Sequence, residues 1–377
     1  MSLIALTGAR ILSDKGWLEG HALLIEKGLI VGLQSEADVP ARAKLEQLNG
    51  GTLLPGFIDT QVNGGGGVLF NDKPTVVGIK AIAAAHRKFG TTGMLPTLIS
   101  DDLSVIAKAI AAVEAAIEEG VPGIVGIHIE GPFLNPGKHG IHDAGKFRTL
   151  DGEAITLLSS LRGGKTLVTL APELAPPGAI AALFARGVIV AAGHTLATYE
   201  QMQVAGAEGL SGITHLFNAM TPMEGRLPGV VGAGLEGDFT CGIIVDGHHV
   251  HPASLRATFR ARGAPGLMLV TDAMPTVGSD DLSFTLSGVT IKAKDGALRS
   301  EGGTLAGSDL DMASAVRNAV SMMHVDLAAA SAMASATPAR FLGIADSVGQ
   351  IAAGMRADLV WVDECQEVQR IWIGGLE

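Results

Sequence analysis

The segment Ile124-Val125-Gly126-Ile127-His128-Ile129-Glu130 is a short, mainly apolar run that ends in a carboxylate. Branched residues in a run of this length are typical of a strand buried in a sheet. The preceding stretch, residues 103–119, is rich in Ala and long enough for a helix. A helix followed by a buried strand predicts a βα unit of a parallel sheet.

The same alternation recurs along most of the chain and predicts an α/β fold. From Phe57 onward, short apolar runs alternate with longer helical stretches, which are clearest at 76–89 and 103–119. Eight strands with intervening helices predict a (β/α)8 TIM-like barrel. We place its strands at residues 57–61, 93–98, 123–129, 166–170, 188–191, 212–214, 242–245 and 267–270.

Both ends of the chain have a different pattern. Short strands with turns are predicted at 4–6, 22–26, 29–33 and 52–54, and again at 357–362 and 368–373. Glu26-Lys27-Gly28 separates two of these strands like the turn of a hairpin. We therefore expect residues 1–54 and 346–377 to form one small β-sandwich domain beside a barrel of residues 55–345. A β excursion is expected at 282–298, before helices at 310–324 and 327–334.

Composition excludes several classes of protein. The 377 residues carry a formal net charge of −11, so no basic surface is available for nucleic acid. Two cysteines, Cys241 and Cys365, provide neither a disulfide framework nor a pair of metal ligands. The sequence has no apolar stretch long enough for a bilayer and no signal-peptide pattern at its start. We expect a cytoplasmic protein without a membrane partner.

Four residues that can bind metals or transfer protons follow four of the predicted strands. They are Glu130, His194, His215 and Asp272. In a barrel, the carboxyl ends of the strands face the active site, so these side chains should converge. Any one of them alone is more often a loop or capping residue. Together, one carboxylate and two imidazoles form a three-ligand site with a position left for water.

The position of Asp272 leaves three roles open. It could be a fourth metal ligand, a helix N-cap, or a base that takes a proton from water and returns it to a leaving group. A helix N-cap fits poorly, because Pro275 follows so soon. We favour the base.

Around these residues the sequence resembles the amidohydrolase superfamily and, within it, the N-acetylglucosamine-6-phosphate deacetylase family. At the superfamily level, two segments are similar to the superfamily's sequence pattern. One lies before and in the first predicted strand, and the other leads back to the small domain. At the family level, four longer motifs occur in the family's order. These six segments are 54–59, 349–360, 128–135, 193–195, 214–220 and 270–273. The resemblance covers almost the whole chain and implies a metal-dependent hydrolase that removes the acetyl group of its substrate.

The resemblance also implies individual roles. Glu130, His194 and His215 match metal ligands, and Asp272 matches a catalytic aspartate. His142 matches a residue that polarises the acetyl carbonyl, whereas its neighbour His139 reads as a solvated loop residue. The positions that match substrate contacts are Ile141, Asn218, Ala219, Leu305, Ala306 and Gly307, with Arg226 and His249 matching contacts to a sugar phosphate.

The implied ligand is a small phosphorylated amino sugar. Arginine and histidine are suitable donors to a phosphate group. In the family the arginine often comes from the neighbouring subunit, so we expect a homodimer or a higher homo-oligomer. His128 lies two residues before Glu130 and should face the same side, as a supporting or core residue.

One departure from the wider superfamily concerns the metal count. Where many amidohydrolases have His-x-His after the first strand, this chain has Gln61-Val62-Asn63. Amides are poor substitutes for imidazole at a transition-metal site. We therefore predict one divalent metal per subunit, with Zn²⁺ as the expected ion and Fe²⁺, Co²⁺ or Mn²⁺ as alternatives.

Two other functions remain open on the sequence. A related amidohydrolase could act on another N-acyl amino sugar or on a cyclic amide, although Arg226 and His249 disfavour a neutral ring. An inactive barrel could serve in assembly, although retention of Glu130, His194, His215 and Asp272 argues against it. Metal analysis with an acetate-release assay separates these readings.

Overall fold

The computed structural model describes residues 3–286 and 288–377. The chain begins with seven strands: β1 (Ile4–Thr7), β2 (Arg10–Ser13), β3 (Gly16–Leu18), β4 (His21–Glu26), β5 (Leu29–Ser35), β6 (Lys44–Gln47) and β7 (Thr52–Pro55). Strands β4 and β5 form the predicted hairpin, with Glu26 paired to Leu29. Lys27 and Gly28 between them have φ of 53° and 82°. A two-residue turn of this kind matches the twist of the strands that it joins.

Ten strands follow: β8 (Phe57–Val62), β9 (Gly64–Gly65), β10 (Val68–Leu69), β11 (Thr91–Ile99), β12 (Gly126–Glu130), β13 (Lys165–Leu170), β14 (Ile189–Ala192), β15 (Leu210–Ile213), β16 (Thr240–Ile243) and β17 (Leu267–Leu269). Strands β9 and β10 form a small antiparallel pair. The other eight form one sheet in sequential order from β17 back to β8, and every recorded pairing between neighbours is parallel. The predicted (β/α)8 barrel is confirmed.

Helices cover the outside of this sheet: α1 (Val76–Arg87), α2 (Leu103–Glu118), α3 (Gly152–Leu158), α4 (Ala179–Phe184), α5 (Tyr199–Ala207), α6 (Gly229–Glu236) and α7 (Pro252–Gly266). Helix α1 begins where the Thr75 side chain accepts the N–H of Gly78. Helix α2 buries Ile106, Ile110 and Val113, spaced three and four residues apart, against the sheet. Short 3-10 turns lie at Glu36–Asp38, Pro136–Lys138, Ala144–Lys146 and Pro172–Leu174.

After the last barrel strand the chain makes the predicted β excursion, which extends further than expected. Its strands are β18 (Ser283–Leu286), β19 (Val289–Lys294), β20 (Ala297–Ser300) and β21 (Leu305–Ser308), and they form a sheet in that order. Three helices follow: α8 (Met312–Met323), α9 (Leu327–Ala334) and α10 (Ala336–Phe341).

The two ends of the chain meet in one small domain. The final strands, β22 (Leu359–Val362) and β23 (Val368–Trp372), extend a five-stranded sheet in the order β23-β22-β7-β2-β3. A four-stranded sheet, β5-β4-β1-β6, lies beside it. Apolar residues from both ends, including Leu23, Leu53 and Trp372, share one buried cluster. The predicted β-sandwich from both chain ends is confirmed. The division at residues 54/55 and 345/346 stays our proposal.

Within the described residues, no helix is both long and apolar enough to cross a membrane.

Candidate active site

Glu130, His194, His215 and Asp272 occupy the carboxyl ends of four barrel strands. Glu130 is the last residue of β12, and the other three lie in the loops just after β14, β15 and β17. Their backbones turn sharply, with φ of 48° at His194, 32° at His215 and 53° at Asp272. Left-handed backbone is unfavourable for residues with a Cβ and persists where the surroundings hold it. The sequence places these residues here because each directly follows a buried apolar run.

Glu130, His194 and His215 form a compact group that could hold a metal ion. One ligand atom from each lies within 4.8 Å of the other two. The Nε2 atoms of the two imidazoles are 3.1 Å apart, and Glu130 Oε1 lies 3.0 Å from His215 and 3.3 Å from His194. All three residues are buried. One carboxylate and two imidazoles converging in this way are a suitable ligand set for a divalent transition metal.

The protonation of His194 fits a metal at this position. Its Nδ1 lies 2.8 Å from the carbonyl oxygen of Lys138. A carbonyl oxygen only accepts, so Nδ1 must carry the hydrogen, and in the neutral ring Nε2 has a free lone pair. A backbone carbonyl that fixes the tautomer of an imidazole in this way is a common feature of metal sites. The lone pair of His194 therefore faces the other two ligand atoms.

Charge within this group also suits a cation. Burial alone would raise the pKa of Glu130, but the adjacent imidazoles of His194 and His215 hold that pKa well below its ordinary value. Glu130 is therefore ionised despite being buried, which is the state in which a carboxylate binds a metal.

Two amides hold the carboxylate of Asp272. Its Oδ1 accepts the side-chain N–H of Asn63 at 2.6 Å and that of Gln61 at 3.1 Å. Gln61 also donates to Oε2 of Glu130 at 3.1 Å. Gln61 and Asn63 thus both point into the barrel mouth, where Gln61 bridges the two carboxylates and Asn63 donates to Asp272 alone. Burial and the charge of Glu130 raise the pKa of Asp272 to about 6, so it combines ionisation at pH 7 with useful basicity.

His142 is held as a neutral donor. Its Nδ1 lies 3.3 Å from the backbone nitrogen of Ser100, which can only donate, and 2.8 Å from the Ser100 hydroxyl. Nδ1 is therefore an acceptor, and the hydrogen of the neutral ring lies on Nε2. Burial and the neighbouring His194, whose ring centroid is 4.4 Å away, hold the pKa of His142 well below its ordinary value. The ring can donate a hydrogen bond without carrying a charge.

The candidate site opens into a cavity of about 190 Å³. Glu130, His194, His215 and Asp272 line it together with Asn63 and most of the contacts that the resemblance implied: Ile141, His142, Asn218, Ala219, His249, Leu305 and Gly307. His249 Nδ1 pairs with Asp246 at 2.6 Å. The structure thus brings Glu130, His194, His215, Asp272 and most of the implied contacts to one place.

Two implied contacts do not line this cavity. The side chain of Ala306 is fully buried in an apolar cluster with Leu69 and Met274. Arg226 lies on an exposed loop and lines a separate cavity of about 240 Å³ with Glu200 and Glu224. Within one chain, Arg226 therefore does not line the cavity that contains Asp272.

A larger cavity lacks the candidate metal ligands and Asp272. It has a volume of about 770 Å³ and lies at the amino ends of β12 and β13, against the C-terminal segment near Ile373. Its lining contains none of Glu130, His194, His215 and Asp272. Since a barrel places its reactive groups at the carboxyl ends of the strands, we assign the site to the smaller cavity.

Sequence reasoning missed several residues of the site. Ile99, Gly140, Met274 and Thr304 line the cavity without having been predicted. Ser100 was also missed, although it is the polar residue that directly follows β11. The rule that identified Glu130, a polar residue after a buried strand, would have included Ser100.

The resemblance implies that His142 polarises the acetyl carbonyl, so we expect His142→Ala to lower kcat by about 10²–10³-fold, the usual cost of removing one donor to a developing oxyanion. The KM should change little, because the contact strengthens mainly in the transition state. Steady-state kinetics at full metal occupancy measure this. His139→Ala is the matched control, because this exposed histidine lies on the same loop outside the cavity lining. Equal losses in the two variants would exclude this role for His142.

The chain is similar to known proteins over nearly its full length. The sequence pattern of the Amidohydrolase family matches residues 52–376. An N-acetylgalactosamine-6-phosphate deacetylase from Shewanella sp. (strain ANA-3) is 45% identical over 98% of this chain and 94% of the relative. The crystal structure of N-acetylglucosamine-6-phosphate deacetylase from Pasteurella multocida has a TM-score of 0.96 at 34% identity, covering 99% of this chain and 98% of that chain.

A second solved structure contains a ligand. It is N-acetyl-D-glucosamine-6-phosphate deacetylase from Mycobacterium smegmatis, an aspartate-to-alanine mutant in complex with N-acetyl-D-glucosamine-6-phosphate. Its TM-score is 0.90 at 34% identity, and the alignment covers 100% of this chain and 99% of that chain.

Proposed function

This chain belongs to the amidohydrolase family, and we propose that it hydrolyses the acetamide of N-acetyl-D-glucosamine 6-phosphate to D-glucosamine 6-phosphate and acetate. The observation that carries the proposal is a single cavity containing Glu130, His194 and His215 beside Asp272 and His142. Relatives with 34% and 45% identity that are named for hexosamine-6-phosphate deacetylation support the substrate class.

Glu130, His194 and His215 would hold one divalent ion, for which Zn²⁺ is our choice. Such an ion supplies Lewis acidity, which makes water a nucleophile near neutral pH. The buried ionised Glu130 and the fixed lone pair of His194 support this assignment.

Asp272 moves the proton in this proposal. Its carboxylate accepts a proton from the attacking water as the new C–O bond forms at the acetyl carbon. It then donates that proton to the nitrogen as the C–N bond breaks, which releases the amine and acetate. His142 donates from Nε2 to the acetyl oxygen, whose negative charge grows during attack. The amides of Gln61 and Asn63 hold Oδ1 of Asp272 and leave its Oδ2 available.

His249 and Arg226 would bind the 6-phosphate. His249 lines the cavity of its own chain, whereas Arg226 lies outside it. We therefore propose that Arg226 is supplied by a second copy of the chain, and that the active form is a homodimer or a higher homo-oligomer. This arrangement needs neither a nucleic acid nor a membrane, and we propose a cytoplasmic location.

We expect Arg226→Ala to impair N-acetylglucosamine 6-phosphate far more than unphosphorylated N-acetylglucosamine. Loss of a charge-assisted contact costs about 1.5–3 kcal/mol, or roughly tenfold to 150-fold in kcat/KM. The ratio of kcat/KM between the two substrates measures it, with Arg260→Ala, an exposed arginine of α7, as the control. An equal decline for both substrates would show that Arg226 does not recognise phosphate. Full activity of a verified monomer would contradict its supply by a partner.

A second candidate substrate is the C4 epimer, N-acetylgalactosamine 6-phosphate. The relative with 45% identity is named for that sugar, whereas the two solved structures are named for the gluco epimer. Both candidates share the acetamide and the 6-phosphate, so the groups described above serve either one.

Acetate release from both epimers by the metal-loaded wild type tests the proposal. A kcat/KM at least tenfold higher for the gluco epimer supports it, and the opposite ratio replaces it with the second candidate. If protein with a full metal site releases acetate from neither phosphorylated epimer, both candidate substrates are excluded. The remaining candidates are then an amidohydrolase that acts on a cyclic amide and an inactive barrel.

A further inference from the structure

The first barrel strand meets the segment that follows the last barrel strand at a seam. Val62, the last residue of β8, forms an isolated parallel bridge with Ala273, which lies after β17, whereas every other neighbouring pair in the barrel has a ladder of at least two residue pairs. Backbone hydrogen bonds here include Asp272 N–H to Gln61 O at 3.0 Å. Because both Gln61 and Asp272 lie at this seam, its geometry determines how the two side chains face each other.

One buried carboxylate joins the two sides of the seam. Asp59, in β8, is fully buried. Its Oδ1 accepts the backbone N–H of Gln61 at 3.1 Å and that of Thr271 at 3.3 Å. Its Oδ2 accepts the hydroxyl of Thr271 at 2.5 Å. Asp59 thus binds both Gln61 and Thr271, the residue that directly precedes Asp272.

Closing the barrel does not by itself explain a carboxylate at Asp59, because burying its charge is energetically unfavourable. Burial raises the pKa of Asp59 to about 7. The backbone on the other side of the seam also needs support, because Asp272 has a φ of 53° in the left-handed region. Two bonds to Thr271 restrain the residue immediately before this unfavourable turn.

We propose that Asp59 is a positioning residue for Asp272. Its carboxylate ties Thr271, and hence the turn at Asp272, to the strand that carries Gln61, and so fixes the Asp272 carboxylate against Glu130 and the bound acetamide. The inference rests on the proposed function, in which Asp272 moves the proton.

The test compares Asp59→Ala with the pair Thr271→Val and Thr271→Ser. Valine keeps the shape of threonine but loses the hydroxyl, whereas serine retains it. Asp59→Ala and Thr271→Val should each lose about tenfold to hundredfold in kcat, the scale of a misplaced catalytic group. Their KM and metal content should remain close to wild type, and Thr271→Ser should recover most of the rate.

Leu23→Ala controls for stability, because Leu23 is fully buried in the apolar cluster of the small domain. All variants are assayed below the unfolding transition of the least stable one. An unchanged kcat in Thr271→Val would overturn the inference even if Asp59→Ala fails to fold. So would an equal loss of kcat in Leu23→Ala, or a loss explained by missing metal.

The wild type and Asp272→Asn, in the same assay, report on the proposed function. An inactive wild type overturns that function together with this inference. An active wild type and a disabled Asp272→Asn, combined with unaffected Asp59 and Thr271 variants, overturn this inference alone.

Discussion

Asp272→Asn is expected to bind substrate nearly as well as the wild type and to lose about 10³-fold or more in kcat. The amide has the size of the carboxylate and can still accept from Asn63 or Gln61, so the cavity should keep its shape. It cannot take a proton from water, and it therefore cannot return one to the amine nitrogen. Because Asp272 would act in both proton transfers, we expect the loss of kcat to lie in the upper part of the range known for proton-transfer residues.

Kinetics and metal analysis of Asp272→Asn belong together, because a metal-depleted variant would also be slow. Asp238→Asn is the charge-matched control, since this exposed aspartate precedes β16. A metal-loaded Asp272→Asn that keeps a tenth of the wild-type kcat would exclude Asp272 as the base.

The barrel could be predicted because its strands are buried on both faces. Such strands read as apolar runs, and the polar residue after each run marks the catalytic edge of the sheet. Glu130, His194 and His215 were identified by this rule, and the structure places them within 4.8 Å of one another. The rule needs no knowledge of which strands are neighbours, since every carboxyl end of a parallel barrel faces the same side.

The elements that were missed lack this apolar signal. Strand β6 (Lys44–Gln47) is largely exposed and contains two charged residues, yet it pairs with β1. Helix α6 (Gly229–Glu236) contains three glycines, which favour loops in a single sequence. In both cases contacts with distant parts of the fold outweigh the local preference of the residues. A single sequence does not show which distant segment makes those contacts.

At the candidate site, contacts between residues far apart in the sequence likewise limited what could be predicted. The resemblance identified His142 as a donor, but the contact with Ser100 that fixes its tautomer joins two loops 42 residues apart. Asp59 ends the segment 54–59 that resembles the superfamily, yet its bonds to Thr271 span 212 residues. The residue types were visible in the sequence, whereas the distances that assign their protons required the fold.

Removing the metal is expected to abolish activity, and one equivalent of a divalent ion per chain should restore it. The three-ligand group of Glu130, His194 and His215 accounts for one ion. The place of a second pair of imidazoles is taken by Gln61 and Asn63, whose amide hydrogens already point at the carboxylate oxygens of Asp272 and Glu130. An N–H group directed at a carboxylate presents no lone pair to a cation. The same contacts give Asp272 a hydrogen-bonded partner in place of a second metal.

Titration of the metal-free protein with Zn²⁺, followed by both activity and elemental analysis, measures this stoichiometry. Activity should reach its plateau at close to one ion per chain, and His194→Ala should lower the content of tightly bound metal. Cys365→Ser serves as a control, because that exposed thiol could bind an additional ion without any effect on turnover. The contrary result is a plateau that is reached only at two tightly held ions per chain, in the Cys365→Ser protein as well. It would mean that Gln61 and Asn63 do not prevent a second metal from binding.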